Sequence, residues 1–141
     1  MKRLAAALVA FAAIASSGCH VELLREHPLG CRSDEQSLAR DTLYFGASIR
    51  GGGAVDDAAW RTFETDAIAS AFPNGYTVTD GSGHWRSKDG HEETERTRIV
   101  TIIHPDSAQD AQVLRAIAAK YVARFHQESV LRERSAVCAQ F

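Results

Sequence analysis

The alternation of apolar and polar residues changes rhythm several times along the chain, and each rhythm predicts an element. In Leu43-Tyr44-Phe45-Gly46-Ala47-Ser48-Ile49 the residues Leu43, Phe45, Ala47 and Ile49 share one face at period two, a strand ended by Gly51-Gly52-Gly53. A helix follows. Asp56 suits its N-cap, Val55 and Trp60 suit a hydrophobic staple, and Trp60, Phe63, Ala67 and Ala71 form one apolar stripe before Pro73-Asn74-Gly75 stops it. Tyr76 to Thr79 predicts a short strand, Asp80-Gly81-Ser82-Gly83 a hairpin turn and His84-Trp85-Arg86 its return, with a second punctuation at Ser87-Lys88-Asp89-Gly90. A longer strand runs from about Glu92 to Ile103, polar on both faces at first and then apolar on both, as in a central strand. Ser107, with Asp110 three residues on, predicts the cap of a second helix whose buried stripe is Ala111, Leu114, Ile117, Ala118, Tyr121 and Phe125. Ser129 to about Val137 reads as a last strand.

The order β-α-β-β-α-β is the split βαβ arrangement. It predicts an α+β domain, ferredoxin-like, with two helices on one face of an antiparallel sheet and an extra short hairpin arm between the central strands. In this topology the last strand lies antiparallel beside the first.

The N-terminus adds a location. Lys2-Arg3, the eleven apolar residues Leu4 to Ile14 and the small residues Ala15-Ser16-Ser17-Gly18 form a secretory signal, too short to span a bilayer. Ser17-Gly18-Cys19 suits lipoprotein processing at Cys19, although Ser16 stands where an aliphatic residue is usual; cleavage after Ala13-Ile14-Ala15 is the alternative. His20 after the cysteine is the sorting pattern of an outer-membrane address in enterobacteria. The expected organisation is therefore a signal peptide over 1–18, a lipid-anchored tether over 19–41 and one domain over 42–141, on the periplasmic face of the envelope. Removing Lys2 and Arg3 leaves 14 basic residues of 16 against 18 acidic ones, a mature charge of about −4, which disfavours a nucleic-acid partner. With Cys19 lipidated, Cys31 and Cys138 remain as an even pair in an oxidising compartment and are expected to form a disulfide, which the antiparallel first and last strands make reachable; two buried reduced cysteines are the alternative.

Trp60, Phe63, Phe72-Pro73-x-Gly75, Thr77-x-x-Asp80-x-x-Gly83-x-Trp85, Glu95 and Phe125-x-Gln127-Glu128-Ser129-Val130 together resemble one bacterial family of small secreted proteins, many of them lipoproteins, known only as a domain of unknown function. The resemblance spans about residues 42–141. It implies membership and location and carries no activity and no catalytic residue.

Candidate chemistry lies on the sheet face away from the helices. Strand parity sends Tyr44 and Ser48 there. Trp85 and Arg86 on the arm, with Glu95 on the long strand, could orient a small polar ligand; alternatively Trp85 packs the arm down and Arg86–Glu95 is a surface ion pair. Gln127 and Glu128 could line the same site, or serve the unpaired carbonyls at the end of the second helix. No metal-ligand spacing, phosphate loop or nucleophile elbow occurs, so neither a cofactor, a metal nor a catalytic residue is expected. The leading expectation is an exported lipoprotein that binds a small molecule or an envelope component. The alternatives are a small enzyme whose pocket forms between the sheets of a homodimer, with Glu95 or Glu128 as proton carrier, and an envelope protein whose sheet face docks a protein.

Overall fold

The computed structural model describes residues 30–141. The expected signal peptide, Cys19 and His20 lie outside the described residues. The elements run β1 (Gln36–Gly46), α1 (Asp57–Phe63) passing directly into a π-helical turn (Glu64–Ala69), β2 (Thr77–Arg86), β3 (Glu92–His104), α2 (Ala108–Phe125) and β4 (Leu131–Ala139). The strands form one sheet in the order β2-β3-β1-β4, and every neighbouring pair is antiparallel. This is the expected ferredoxin-like α+β domain.

Both helices start as their caps require. Asp56 Oδ1 accepts from Ala59 N–H at 2.7 Å, and Ser107 Oγ accepts from Asp110 N–H at 3.0 Å. The alternation in β1 then decides which sheet face they cover. Leu43 and Phe45, with Val100 and Ile102 of β3, meet Trp60, Phe63 and Ile68 of the first helical stretch and Leu114, Ile117, Tyr121 and Phe125 of α2. Phe45 sits at the centre of this core, its ring 5.4 Å from Trp60, 5.8 Å from Phe63 and 4.8 Å from Tyr121, at the tilted and edge-on angles that aromatic quadrupoles favour.

Several expectations need correction. β1 begins at Gln36, so the strand takes in six residues assigned above to the tether. Its polar members hide the signal: Asp41 is fully buried, where its carboxylate accepts from Arg132 Nε at 2.6 Å and faces His104 Nε2 at 2.8 Å. β1 also ends at Gly46, so Ala47 and Ile49 lie beyond it. The chain there turns through Gly51, Gly52 and Gly53, all at positive φ, and returns by an isolated bridge from Ser48 to Ala54. The first helical stripe is buried at Trp60, Phe63 and Ala67 as read, but a π-helical turn carries its second half and brings Ile68 inward as well.

The hairpin arm exists in a different form. Asp80-Gly81-Ser82-Gly83 is no turn: it lies inside β2, with both glycines at ordinary φ, and the reversal comes at residues 87–91. The glycines are there for space. A Cβ at Gly81 would come within 3.0 Å of Ile99 Cδ1, and one at Gly83 would overlap Trp85. The β2–β3 ladder continues to Arg86 and Glu92, whereas β1 pairs with β3 only as far as Thr97. The arm is thus the free end of the β2–β3 hairpin, standing beyond the end of β1.

Cys31 and Cys138 form a disulfide, with Cα atoms 5.5 Å apart. Pairing of β1 with β4 makes this reachable, because Ser37 lies opposite Cys138. Among the described residues no helix is long and apolar enough to cross a membrane.

Candidate functional site

A cleft of about 720 Å³ opens where the free hairpin end, the glycine turn after β1 and the loop after α2 come together. Three features of the sequence build it. The sheet twists its outer hairpin past the end of β1, the three positive-φ glycines carry the chain back alongside, and α2 stops at His126, whose left-handed φ of 53° turns the chain towards the same place. Tyr44, Trp85, Arg86, Glu95, Gln127 and Glu128, which sequence reasoning drew from four separated stretches, all border this cleft.

Their roles within it differ. Glu95 lies directly opposite Gly83 in the ladder, on the open sheet face. Its carboxylate covers Gly46, where a Cβ would collide with it, and Oε2 accepts from Ser48 N–H at 2.7 Å. The carboxylate is therefore fixed rather than mobile. On the other side of Gly46, the Tyr121 hydroxyl donates to the Gly46 carbonyl at 2.8 Å. Burial, together with the nearby Glu95 charge, pushes the Tyr121 pKa well above the usual phenol range.

Trp85 lies across Gly83 on the open face, and its Nε1 is buried without a hydrogen-bond partner. Tyr44 walls the opposite side. Its hydroxyl donates to Glu133 Oε1 at 3.0 Å; that bond, then burial, raises the phenol's pKa. Arg86 pairs with Glu92 at 2.6 Å, so the expected Arg86–Glu95 pair is absent. Register explains the difference: Arg86 lies opposite Glu92, whereas Glu95 is an odd number of residues away and on the other face.

Gln127 serves structure. Its Nε2 donates to the Ser48 carbonyl at 2.5 Å and to the Phe125 carbonyl at 3.3 Å, tying the end of α2 to the glycine turn. Glu128 pairs with Arg50 across the same gap. These contacts hold the two loops at a fixed separation and so fix the width of the cleft.

Sequence reasoning missed Arg50 and Glu93, which also border the cleft. Glu93 could have been found, since it shares a strand face with Glu95 two residues on. Arg50 carries no local signal, its partner being 78 positions away. Thr97 is 2% exposed, and its hydroxyl has no hydrogen-bond partner. Cys31, Cys138 and Glu35 cluster closely enough to suggest metal ligands, but the disulfide occupies both sulfurs.

The profile of a family described as "Protein of unknown function (DUF3574)" matches residues 40–141. No curated protein matches the chain. Among solved structures, a phage S-adenosylmethionine (SAM) lyase in complex with S-methyl-5′-thioadenosine is similar to it with a TM-score of 0.56 at 13% identity, over 74% of this chain and 90% of that one. A phage SAM lyase in its apo state gives a TM-score of 0.51 at 16% identity, with the same coverage. At these identities the likeness concerns the fold.

Proposed function

The chain belongs to DUF3574, a family of proteins of unknown function, and on that premise we propose that it is an exported, lipid-anchored envelope protein whose domain binds a small polar molecule in the cleft. One observation carries the binding reading: six side chains from β1, β2, β3 and the loop after α2 converge on a single concavity, two of them aromatic walls and one a carboxylate fixed by a backbone N–H. Such a mixture of rigid apolar surface and a few oriented polar atoms is what small-molecule sites consist of. Glu95 is the acceptor for a ligand hydroxyl or amine, and Trp85 and Tyr44 provide the flat surfaces against which its apolar part lies.

Native mass spectrometry of the gently purified protein tests this. The expected spectrum carries a reproducible small-molecule adduct that Glu95→Gln diminishes. A bare protein in both cases would instead favour docking of a protein on the open sheet face. The same spectrum reads the oligomeric state, and a dimer enclosing the adduct would place the cleft between two facing sheets.

The anchor rests on the signal sequence and Cys19. Cys19→Ala is expected to move the protein from the membrane fraction into the soluble fraction. Membrane association retained at unchanged mass would contradict lipidation.

A second reading is an enzyme, with Glu95 as proton carrier. The fold likeness to a SAM lyase holding S-methyl-5′-thioadenosine favours it. Release of S-methyl-5′-thioadenosine from S-adenosylmethionine, lost in Glu95→Gln, would support the enzyme; an unconsumed substrate leaves binding as the function.

A further inference from the structure

We propose that Glu35 guards the Cys31–Cys138 disulfide, its carboxylate repelling the anionic thiols that would otherwise reduce the bond. The two sulfurs and a Glu35 carboxylate oxygen all lie within 4.8 Å of one another. The bond is open to attack, since Cys31 and Cys138 are each only half-buried, as is Glu35. The carboxylate is held there by its own turn. Its Oε2 accepts from Arg32 N–H at 2.9 Å, and Glu35 N–H donates to the Arg32 carbonyl at 3.1 Å. Its charge is left standing: among the described residues no cation pairs with Glu35, and the Arg32 guanidinium forms no ion pair. Two residues on, Ser37 faces Cys138 across the β1–β4 ladder, so the strand carrying the second cysteine keeps it beside this turn.

Reduction of such a bond begins when a thiolate attacks one sulfur. The S–S electron pair leaves with the other sulfur as a thiolate, and a mixed disulfide remains. A second thiolate then attacks the mixed disulfide, so two reductant thiols are oxidised to one disulfide while the two cysteines take up two electrons and, from solvent, two protons. Both halves of the first step bring negative charge to the place where Glu35 already stands. The attacking thiolate must reach a sulfur next to the carboxylate, and the departing cysteine sulfur acquires its charge beside the same group. Which sulfur is attacked makes little difference, because the carboxylate lies close to both. Two like unit charges about 5 Å apart in water slow such a step by about fourfold, and by more where a partly covered wall lowers the dielectric. The bond so guarded fastens β4, an edge strand that pairs with β1 alone.

The test varies the charge of the reductant. Cysteamine, 2-mercaptoethanol and 3-mercaptopropionate present the same attacking thiolate beside an ammonium, a hydroxyl and a carboxylate. Reduction of the whole protein at low ionic strength is followed by iodoacetamide quenching and mass spectrometry of the Cys31 and Cys138 peptides. Each rate is divided by the fraction of reductant present as thiolate. Glu35→Gln keeps an acceptor for Arg32 N–H, so the turn is retained. It is expected to raise the rate about tenfold for 3-mercaptopropionate and about fourfold for 2-mercaptoethanol, and to leave cysteamine nearly unchanged. High salt is expected to shrink the same differences in the wild type. Equal acceleration of all three reductants would mean that the variant merely loosens the turn, and would overturn the guard. An unchanged rate with 3-mercaptopropionate would overturn it as well.

Discussion

Asp41→Ala is expected to lower the unfolding free energy by about 3–5 kcal/mol, the range for removing one partner of a buried ion pair. Asp41 is fully buried, and its carboxylate is the hub of a cluster: Arg132 Nε lies 2.6 Å away, His104 Nε2 2.8 Å and Arg134 Nε 3.6 Å. His104 is itself buried, and its Nδ1 faces the Pro105 carbonyl at 2.8 Å. Deleting the carboxylate leaves His104 and the half-buried Arg132 head without their acceptor, at a position where water cannot replace it. Asp41→Asn, which keeps the shape and one acceptor oxygen, should cost less than the alanine. Urea unfolding of the three proteins measures the order. A loss under 1 kcal/mol for the alanine variant would show that the cluster contributes no more than a surface pair.

The same cluster sets a pH dependence. Burial alone would raise the Asp41 pKa, but bonds from Arg132 and His104 and the charges of Arg132 and Arg134 outweigh it and hold the carboxyl below its ordinary value. Because the folded value lies below the unfolded one, the stabilisation is complete above the unfolded carboxyl range, near about 3.9, and is lost as pH falls through the folded value. Stability should therefore decline on the acid side less steeply in Asp41→Ala than in the wild type.

Breaking the Cys31–Cys138 bond is the second large effect. The bond joins residues 107 apart in sequence, so in the unfolded chain it closes almost the whole domain into a loop. Its removal is expected to cost about 2–5 kcal/mol and to lower Tm by several degrees or more, whether by reductant or by the double Cys31→Ser, Cys138→Ser change. The cost is global because β4 is an edge strand held only by β1, and the bond fastens its last turn of pairing. Thermal unfolding with and without reductant checks this, and an unchanged Tm would contradict it.

What the sequence made legible was whatever depended on near neighbours. The period-two pattern at Leu43 and Phe45, the caps at Asp56 and Ser107 and the stripe through Leu114, Tyr121 and Phe125 are local, and each stands where it was read. The disulfide was legible by another route, the even pair of cysteines left once Cys19 is set aside behind a signal-like N-terminus. Asp41 shows the limit: a lone aspartate before a strand reads as solvated tether, because nothing within ten residues reveals that Arg132 and His104 will meet it. Gly81 and Gly83 misled for a related reason. Glycine marks a turn or a close approach, and only the folded sheet shows that here it makes room for Ile99 and Trp85. At the cleft, parity placed Tyr44 on the open face, while the contacts that fix its width, Arg50 with Glu128 and Ser48 with Glu95, join positions with no shared periodicity.

The most direct test of the cleft as a ligand site is a crystal structure of the protein purified gently from the cells that make it, with whatever small molecule remains bound. The expected result is ordered density in the cleft against Glu95 and the Tyr44 and Trp85 side chains. An empty cleft, with the retained molecule bound elsewhere, would contradict it.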